Sequence, residues 1–257
     1  MFVGILIASC TNDTVNPDPQ QNVDETALSA IGALVAGSST SEDVHGALGM
    51  LHWRLDGAEG RDDVYHTSGS VFDTDSPFAQ KRVNGGMVNI SGVSIAADPL
   101  NDQFYESSLG GLWDRPDAPY SIAGNVLIPT FETTLAVPKK IVLNNSIAGK
   151  TLSRSVPLTL TWNTDSNNAN GVRVVISYRV FTSNKENSAM PDTAITINVL
   201  VPDNGSNTFS TKELSVFPTG AIVDIGIGRG ASKVTGSPRK YLVSATTIAF
   251  GECVFGA

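Results

Sequence analysis

The sequence predicts an all-β protein, an antiparallel β-sandwich divided between two β domains. In several short segments apolar residues recur at every second position, which is the period of a strand with one buried face. Charged residues make up 16% of the chain, which also contains 24 glycines and 13 prolines. This composition, rich in Thr, Ser, Asn and Val as well, favours short strands joined by turns over long helices.

The clearest alternation lies in the second half of the chain. The segment 158–162 places two leucines and Trp162 on one face, and 172–178 repeats the apolar pattern. Between them, 163–171 is rich in Asn and other turn formers and is predicted to be a loop. Because a strand with one apolar face needs a second layer to cover it, we expect Trp162 to lie in the core between two sheets. The alternative is an exposed platform on which a sugar stacks.

Further strands are expected on both sides of this pair. A hairpin is predicted over 87–95, with its turn at Ser91-Gly92. The segment 27–37 has the apolar spacing of a short helix, and the polar stretch 56–77 is expected to form loops. Two more strands are predicted within 120–137, the second of them over 131–137. The other predicted strands are 48–55, 141–143, 194–201, 207–210, 221–228 and 241–250.

The segment Pro138-Lys-Lys is the predicted boundary between the two domains. Residues 27–137 would form an N-terminal β-rich domain with one short helix. Residues 138–257 would form a second β-sandwich domain, with about seven strands in a length typical of such sandwiches.

The first ten residues form an apolar run that ends in small residues and a cysteine. The run is too short to cross a bilayer, which takes about 20 apolar residues. Its last four residues, Ile7-Ala8-Ser9-Cys10, resemble the lipobox of bacterial lipoproteins. This resemblance implies that residues 1–9 are a signal peptide and that Cys10 is acylated after cleavage. Residues 10–26, polar and with two prolines, would then be a flexible tether.

Thr11, the residue after the cysteine, indicates in which membrane the protein would reside. In bacterial lipoproteins an Asp there favours retention in the inner membrane, so Thr11 implies the outer membrane, on its periplasmic side or at the surface. No Lys or Arg precedes the apolar run, a departure from the family that predicts a truncated signal peptide. The alternative is a buried N-terminal strand with a free cysteine.

Two further resemblances concern the body of the chain. A Gly-Gly-x-Val hairpin, a Leu-Trp-Asp turn and a Tyr-x-Ile-x-Gly strand, followed by Leu-Thr-Leu-Thr-Trp, are similar to uncharacterised β-rich lipoproteins of Gram-negative bacteria. That likeness covers most of 85–245 and brings no activity with it. The strand spacing after residue 138 and its early tryptophan look like an immunoglobulin or fibronectin type III domain. The cysteine pair of antibody domains is missing, so the resemblance implies the looser immunoglobulin-like architecture.

Charge and glycine spacing exclude several partners. The net charge is −8 and the pI about 4.8, which makes the chain a poor candidate for binding nucleic acid or anionic lipid surfaces. Gly226, Gly228 and Gly230 alternate, but their spacing departs from the dinucleotide fingerprint, so we expect no nucleotide and no cofactor. The one locally basic segment, 229–240, is predicted to be a hairpin loop, and the alternative is a segment that contacts anionic glycans or lipid headgroups.

Candidate binding residues follow from residue type. A carbohydrate site would use Trp113 or Tyr120 as an exposed ring, with Asp114 or Asp117 as a hydrogen-bond acceptor. The weak calcium candidates are Asp62, Asp63, Asp73 and Asp75, since Ca²⁺ prefers oxygen ligands. Their spacing matches no EF-hand loop, and solvated loop carboxylates are the simpler interpretation.

Catalytic signals are sparse. A hydrolase would need His52 or His66 to meet a carboxylate and a serine in a cleft, and no serine lies in a nucleophile-elbow context. Cys253 lies in an apolar segment and is expected to be a buried, inert thiol. The sequence therefore favours a non-enzymatic binding or assembly module of the cell envelope, attached to the membrane by its lipid. A carbohydrate-binding surface protein and an envelope hydrolase are the alternatives, and the partner would be an envelope protein or a glycan.

Overall fold

The computed structural model describes residues 44–56, 63–73, 81–100, 105–108, 113, 115–178 and 193–256. These residues form fourteen strands and one short helix. In chain order they are β1 (Gly46–Leu55), β2 (Val64–Val71), β3 (Val88–Ile90), β4 (Val93–Ile95), β5 (Tyr105–Ser107), β6 (Asp117–Ile122), β7 (Phe131–Ala136), β8 (Thr151–Ser153), β9 (Leu158–Thr161), β10 (Val172–Tyr178), β11 (Ile195–Val201), β12 (Ser206–Phe209), α1 (Thr211–Leu214), β13 (Ile222–Thr235) and β14 (Tyr241–Gly256). The all-β class predicted from the sequence is confirmed.

One eight-stranded sheet, which we call the main sheet, extends through the molecule in the order β11-β10-β13-β14-β1-β2-β5. The eighth strand, β8, pairs with the C-terminal end of β14. Most neighbours are antiparallel, as expected, but β1 and β8 both run parallel to β14. The long hairpin of β13 and β14 forms the centre of the sheet.

Two smaller layers cover one face of the main sheet. The first has four strands in the order β4-β3-β6-β7, and the second has two, β12 and β9. The predicted hairpin over 87–95 forms β3 and β4, and its turn residues Ser91 and Gly92 both have positive φ. Two successive left-handed residues give the twist that suits a two-residue hairpin.

Each small layer encloses its own apolar core. The N-terminal core lies under the four-stranded layer and includes Leu48, Met50, Val71, Val88, Ile90, Tyr120, Ile122, Tyr241 and Val243. The C-terminal core lies under the two-stranded layer and includes Leu160, Trp162, Val174, Ile176, Phe209, Ile225, Ile227, Cys253 and Phe255. Residues of β14 contribute to both cores, because alternate positions along a strand share one face.

The predicted boundary between 137 and 138 separates the covering layers, while the main sheet continues across it. Strand β1, from the N-terminal half, pairs along nine residues with β14 from the C-terminal half. Asp56 adds a further link after β1, since its Oδ2 accepts the backbone N–H groups of Ile147 and Ala148. An immunoglobulin domain completes its two sheets within about 100 residues. Here the larger layer draws on both halves of the chain.

The central prediction about Trp162 is confirmed, because its ring is buried in the C-terminal core. The strands on either side of loop 163–171 lie in opposite layers, with β9 in the two-stranded layer and β10 in the main sheet. The alternating glycines of β13 point to the other face of the main sheet. There Gly226 is flanked in register by Val175 and Phe250, which pack together in a third, smaller apolar cluster.

Two segments predicted as loops are partly strand, and one predicted helix lies outside the described residues. The segment predicted as loop between 56 and 77 contains β2, whose polar sequence is accommodated because it pairs with β1 on one side and β5 on the other. The basic segment 229–240 is mostly strand, since β13 continues to Thr235 and only 236–240 forms the turn. The predicted helix over 27–37, together with the proposed signal peptide and tether, lies outside the described residues.

Because β14 belongs to both cores, we expect the two cores to unfold in one transition. Trp162 reports on the C-terminal core and Trp113 on the N-terminal core. Two variants test this, one with Trp53→Phe and Trp113→Phe and the other with Trp53→Phe and Trp162→Phe. Urea unfolding followed by fluorescence should give coincident midpoints for the remaining tryptophan in each. Two well-separated midpoints would show that the halves fold as independent domains.

Candidate functional site

A row of polar side chains crosses the inner face of the main sheet between the two cores. Tyr65 of β2, His52 of β1, Thr247 of β14 and Arg229 of β13 are successive partners in the strand register. On the same face of β14, Ala245 lies before Thr247 and Ala249 lies after it. Ala245 packs into the N-terminal core and Ala249 into the C-terminal core. We call this row, with the loop residues that bind it, the polar layer.

The imidazole of His52 forms the centre of one half of the polar layer. It is buried, and its Nδ1 lies 2.8 Å from Oγ1 of Thr247. That oxygen already accepts the backbone N–H of Ile141 at 3.0 Å. The Nε2 atom lies 3.4 Å from Oδ2 of Asp63. We assign the proton of neutral His52 to Nε2 because that atom faces the carboxylate, and with this tautomer Nδ1 accepts the hydroxyl proton of Thr247.

Asp63 joins this buried chain to the surface. Its Oδ2 accepts the phenolic hydroxyl of Tyr65 at 3.3 Å, and Nζ of Lys140 lies 3.8 Å from the same oxygen. Nη1 of Arg54 lies 3.8 Å from Oδ1. Lys140 also donates to the hydroxyl of Tyr65 at 2.5 Å and lies over its ring. We call these side chains, with His52, the histidine cluster. Its outer members Asp63, Lys140 and Arg54 are partly exposed or exposed.

Burial sets the protonation of His52. Loss of hydration lowers the pKa of its imidazole below 6.5, while the attraction of Asp63 opposes that shift. The positive charges of Lys140 and Arg54 lower it further. The order carboxylate, imidazole, hydroxyl is also the order of a nucleophilic triad. In this case the hydroxyl of Thr247 is fully buried and is used by Ile141, so it presents no oxygen to a substrate.

Arg229 forms the centre of the other half of the polar layer. Its side chain is fully buried, and Nη1 lies 3.2 Å from Oδ2 of Asp203 and 4.0 Å from Oδ2 of Asp165. Its Nη2 donates to the carbonyl of Asn163. Burial lowers the pKa of the guanidinium, and the two carboxylates oppose that effect. An arginine remains charged in proteins, so this half holds a buried cation between two buried anions. We call these four residues the arginine cluster.

The two carboxylates of the arginine cluster belong to loops of the covering layer. Asp203 also accepts the indole N–H of Trp162 at 3.0 Å and the side-chain amide of Asn168 at 2.9 Å. Asp165 accepts the backbone N–H of Lys139 at 2.8 Å. These bonds attach the loops around β9 and β12 to the main sheet. The arginine cluster therefore holds the two-stranded layer on the main sheet.

The residues proposed for carbohydrate binding do not form an exposed groove. The rings of Trp113 and Tyr120 are 5% and 1% exposed and belong to the N-terminal core. The hydroxyl of Tyr120 donates to the carbonyl of Ser244 at 2.6 Å. Asp117 is exposed at the start of β6, and Asp114 lies outside the described residues. The two buried rings leave no face on which a sugar could stack.

The two calcium candidates that the structure describes, Asp63 and Asp73, lie far apart. Asp63 precedes β2 and Asp73 follows it, which separates them by about 30 Å at the rise of an extended strand. Asp63 binds the histidine cluster, and Asp73 accepts the backbone N–H of Lys81. Asp62 and Asp75 lie outside the described residues. Across the part of the chain that the structure describes, no group of three or more His, Cys, Asp and Glu side chains is placed to hold a metal ion.

The remaining reactive residues are accounted for by their surroundings. His66 lies 3.5 Å from Glu106, on a different face of β2 from Tyr65. Cys253 is buried, and burial raises the pKa of its thiol to about 12, so the prediction of a buried thiol is confirmed. The sequence did not indicate the arginine cluster. A signal was present, because Arg229 stands at an inward position of an otherwise apolar and glycine-rich strand.

No protein-family model matches the chain, and no curated protein matches it with significant sequence similarity. Among the described residues, no helix is both long enough and apolar enough to cross a membrane.

The hydroxyl of Thr247 can be removed with little change of shape by Thr247→Val. This leaves the N–H of Ile141 and Nδ1 of His52 without partners in the interior, and each unpaired group costs about 1–3 kcal/mol. We expect the free energy of unfolding, measured in urea, to fall by at least about 2 kcal/mol. The matched variant Thr134→Val, at an exposed position of β7, should change it by less than about 0.5 kcal/mol. Equal effects at both positions would contradict the proposed bonding.

The pKa of His52 should lie below 6.5 when measured by NMR titration, with the signal assigned from His52→Gln. In the unfolded chain the imidazole titrates near 6.5, so below that pH the unfolded state binds more protons than the native state. Stability should therefore fall as the pH decreases from about 6.5 towards the lower native pKa. His52→Gln should reduce this dependence. A native pKa at or above 6.5 would refute the assignment.

Proposed function

We propose that this chain is a lipid-anchored protein of the cell envelope that acts by binding or assembly, without catalytic activity. The observation that carries the proposal is the lipobox-like sequence Ile7-Ala8-Ser9-Cys10, followed by the polar stretch 11–26. An acylated Cys10 would hold the folded part at a membrane through its lipid. With Thr11 after the cysteine, the outer membrane is the proposed location.

The described interior supports a binding role over a catalytic one. The buried polar groups of the histidine and arginine clusters are bound mainly to one another and to loop backbone, as expected of groups that hold layers together. The hydroxyl in the triad-like order, that of Thr247, is enclosed by the fold. A rigid sheet that carries exposed loops is the usual scaffold for recognition. The partner in this proposal is an envelope protein.

The two alternatives have less support. A carbohydrate-binding protein needs exposed rings, and Trp113 and Tyr120 are enclosed in the N-terminal core. A hydrolase needs an accessible nucleophile next to its base. The hydroxyl beside His52 does not meet that need, because Thr247 is fully buried.

Acylation is tested by mass spectrometry of the N-terminal peptide, from membrane fractions of a Gram-negative host carrying the full gene. We expect a mature chain that begins at Cys10 and carries diacylglycerol and an N-acyl chain. Cys10→Ser should abolish the modification and lower the share of the protein in the membrane fraction, since the acyl chains supply most of the membrane affinity in this proposal. An unmodified Cys10 in a chain that retains Met1 would reject the anchored proposal.

The proposed outer-membrane location can be tested with a matched pair of variants at Thr11. Thr11→Asp should move the protein from the outer-membrane fraction to the inner-membrane fraction on a density gradient, and Thr11→Ser should leave it in place. An outer-membrane location that is unchanged by Thr11→Asp would argue against this sorting rule for the chain.

A further inference from the structure

One end of the four-stranded layer exposes apolar side chains that the N-terminal core does not use. The loop 123–130 joins β6 to β7, and we call it the apolar tip. Val126 is fully exposed at this tip and Leu127 is 75% exposed. Met87, whose carbonyl accepts the backbone N–H of Ala123, is 49% exposed beside it. Large apolar side chains grouped on a surface mark sites of contact with a partner or a membrane.

The grouping is uneven over the molecule. Eight large hydrophobic side chains of the described residues are exposed, and three of them, Met87, Val126 and Leu127, lie at this end. The other five are distributed singly over different elements: Val64 on β2, Leu100 after β4, Val156 before β9, Leu200 on β11 and Val216 after α1.

The apolar tip is held in a defined conformation by Asn125. The side-chain oxygen of Asn125 accepts the backbone N–H groups of Leu127 at 2.8 Å and Ile128 at 3.0 Å. Its side-chain amide donates to the carbonyl of Asn84 at 2.5 Å, and its backbone N–H donates to the carbonyl of Ile128. Ile128 is buried in the N-terminal core. The loop is therefore anchored on both sides while Val126 and Leu127 project into solvent.

Basic side chains surround the same end. The turn 236–240 carries Arg239 and Lys240, and Arg239 donates to the carbonyl of Phe72 at 2.9 Å. Lys81 and Arg82 lie on the segment paired with Phe72 and Asp73. The turn is next to the tip, since a Cβ atom on Gly236 would lie 3.3 Å from the ring of Phe131, the first residue of β7.

The charge at this end differs from that of the whole chain. The described residues in and next to these segments include the four basic side chains named above and three acidic ones, Asp73, Asp98 and Glu132. The chain as a whole has a net charge of −8. An anionic surface would therefore be approached more favourably by this end than by the molecule as a whole.

The first described residues, Val44 and His45, lie at this end too. The backbone N–H of His45 donates to the carbonyl of Lys240 at 2.7 Å, and the carbonyl of His45 accepts the N–H of Phe72. Residues 1–43, which contain Cys10, precede this point. The chain that follows an anchor at Cys10 would thus reach the described residues at the end that carries the apolar tip.

We propose that the apolar tip inserts Val126 and Leu127 into the interface of a phospholipid bilayer, with the basic residues of the same end at the headgroups. This proposal deepens the anchored-protein proposal and rests on it for the choice of a lipid surface. Apolar side chains at the interface and basic residues at the headgroups are the two contributions that bind interfacial proteins. Together with the acyl chain, the tip would supply a second membrane contact, and it would fix the orientation of the body.

The test uses the unacylated full chain, Cys10→Ser, so that binding through the lipid is removed. Leu127→Cys in this background is labelled with an environment-sensitive fluorophore, and buried Cys253 is poorly reactive. Vesicles contain phosphatidylethanolamine and phosphatidylglycerol in equal amounts. We expect the label at 127 to shift to shorter wavelength on adding vesicles. The matched label at Leu200→Cys, an exposed position of β11, should not shift.

A second measurement uses loss of function. Val126→Ser combined with Leu127→Ser, in the Cys10→Ser chain, should lower vesicle affinity by about tenfold or more in cosedimentation. Leu200→Ser is the control and should leave the affinity unchanged. Near-ultraviolet circular dichroism establishes that both variants keep the native packing.

The outcomes separate this proposal from the anchored one. If the label at 127 does not shift and the tip variant binds vesicles as the parent does, the tip proposal is overturned, whatever the state of Cys10 in cells. If the tip variant instead abolishes self-association in analytical ultracentrifugation without an effect on vesicles, the tip is a contact between copies. If vesicle binding depends on the tip while Cys10 is unmodified in cells, the anchored proposal fails and the tip proposal stands.

Discussion

The double pairing of β14 is the constraint on which the other parts of the structure depend. Over its sixteen residues β14 is bonded to β13 on one side and to β1 and then β8 on the other. A strand of that length extends about 50 Å, whereas the six-residue strands of the four-stranded layer extend about 20 Å. One small layer cannot cover the whole inner face, so two layers cover it in succession. The polar layer lies in the row between them, where neither apolar core fills the face.

The polar layer is explained by the cost of burying charge. A buried guanidinium without partners would be strongly destabilising, and removal of one partner from such a pair typically costs about 3–5 kcal/mol. Arg229 therefore requires Asp203 and Asp165, and these residues lie on loops of the covering layer. The requirement works in both directions, because the two carboxylates are buried as well and the guanidinium supplies their compensating charge. Charge pairing in this row thus positions the two-stranded layer, while apolar burial supplies most of the stabilisation.

The sequence predicted the strands that have one apolar face and failed where a strand is polar or a contact is distant. The hairpin over 87–95 and the burial of Trp162 followed from alternation and turn chemistry. Strand β2 was missed because its sequence is mostly polar, and its place between β1 and β5 is a property of the assembled sheet. The continuous main sheet could not be foreseen, since the parallel pairing of β1 with β14 joins residues nearly 200 positions apart. For the same reason the bond between His52 and Thr247 had no local signal.

Strand β2 separates the basic end of the molecule from the histidine cluster. Phe72, at the basic end, and Asp63, in the histidine cluster, lie at opposite ends of this strand, about 30 Å apart. The net charge of −8 opposes broad contact between the body and an anionic bilayer, and contact through the apolar tip needs only a small part of the surface. An end-on contact would direct Asp63, Arg54 and Lys140 away from the lipid. The partly exposed charges of the histidine cluster would then face the aqueous space away from the bilayer, where an envelope partner could bind. The buried part of the polar layer would keep these charges in a fixed arrangement.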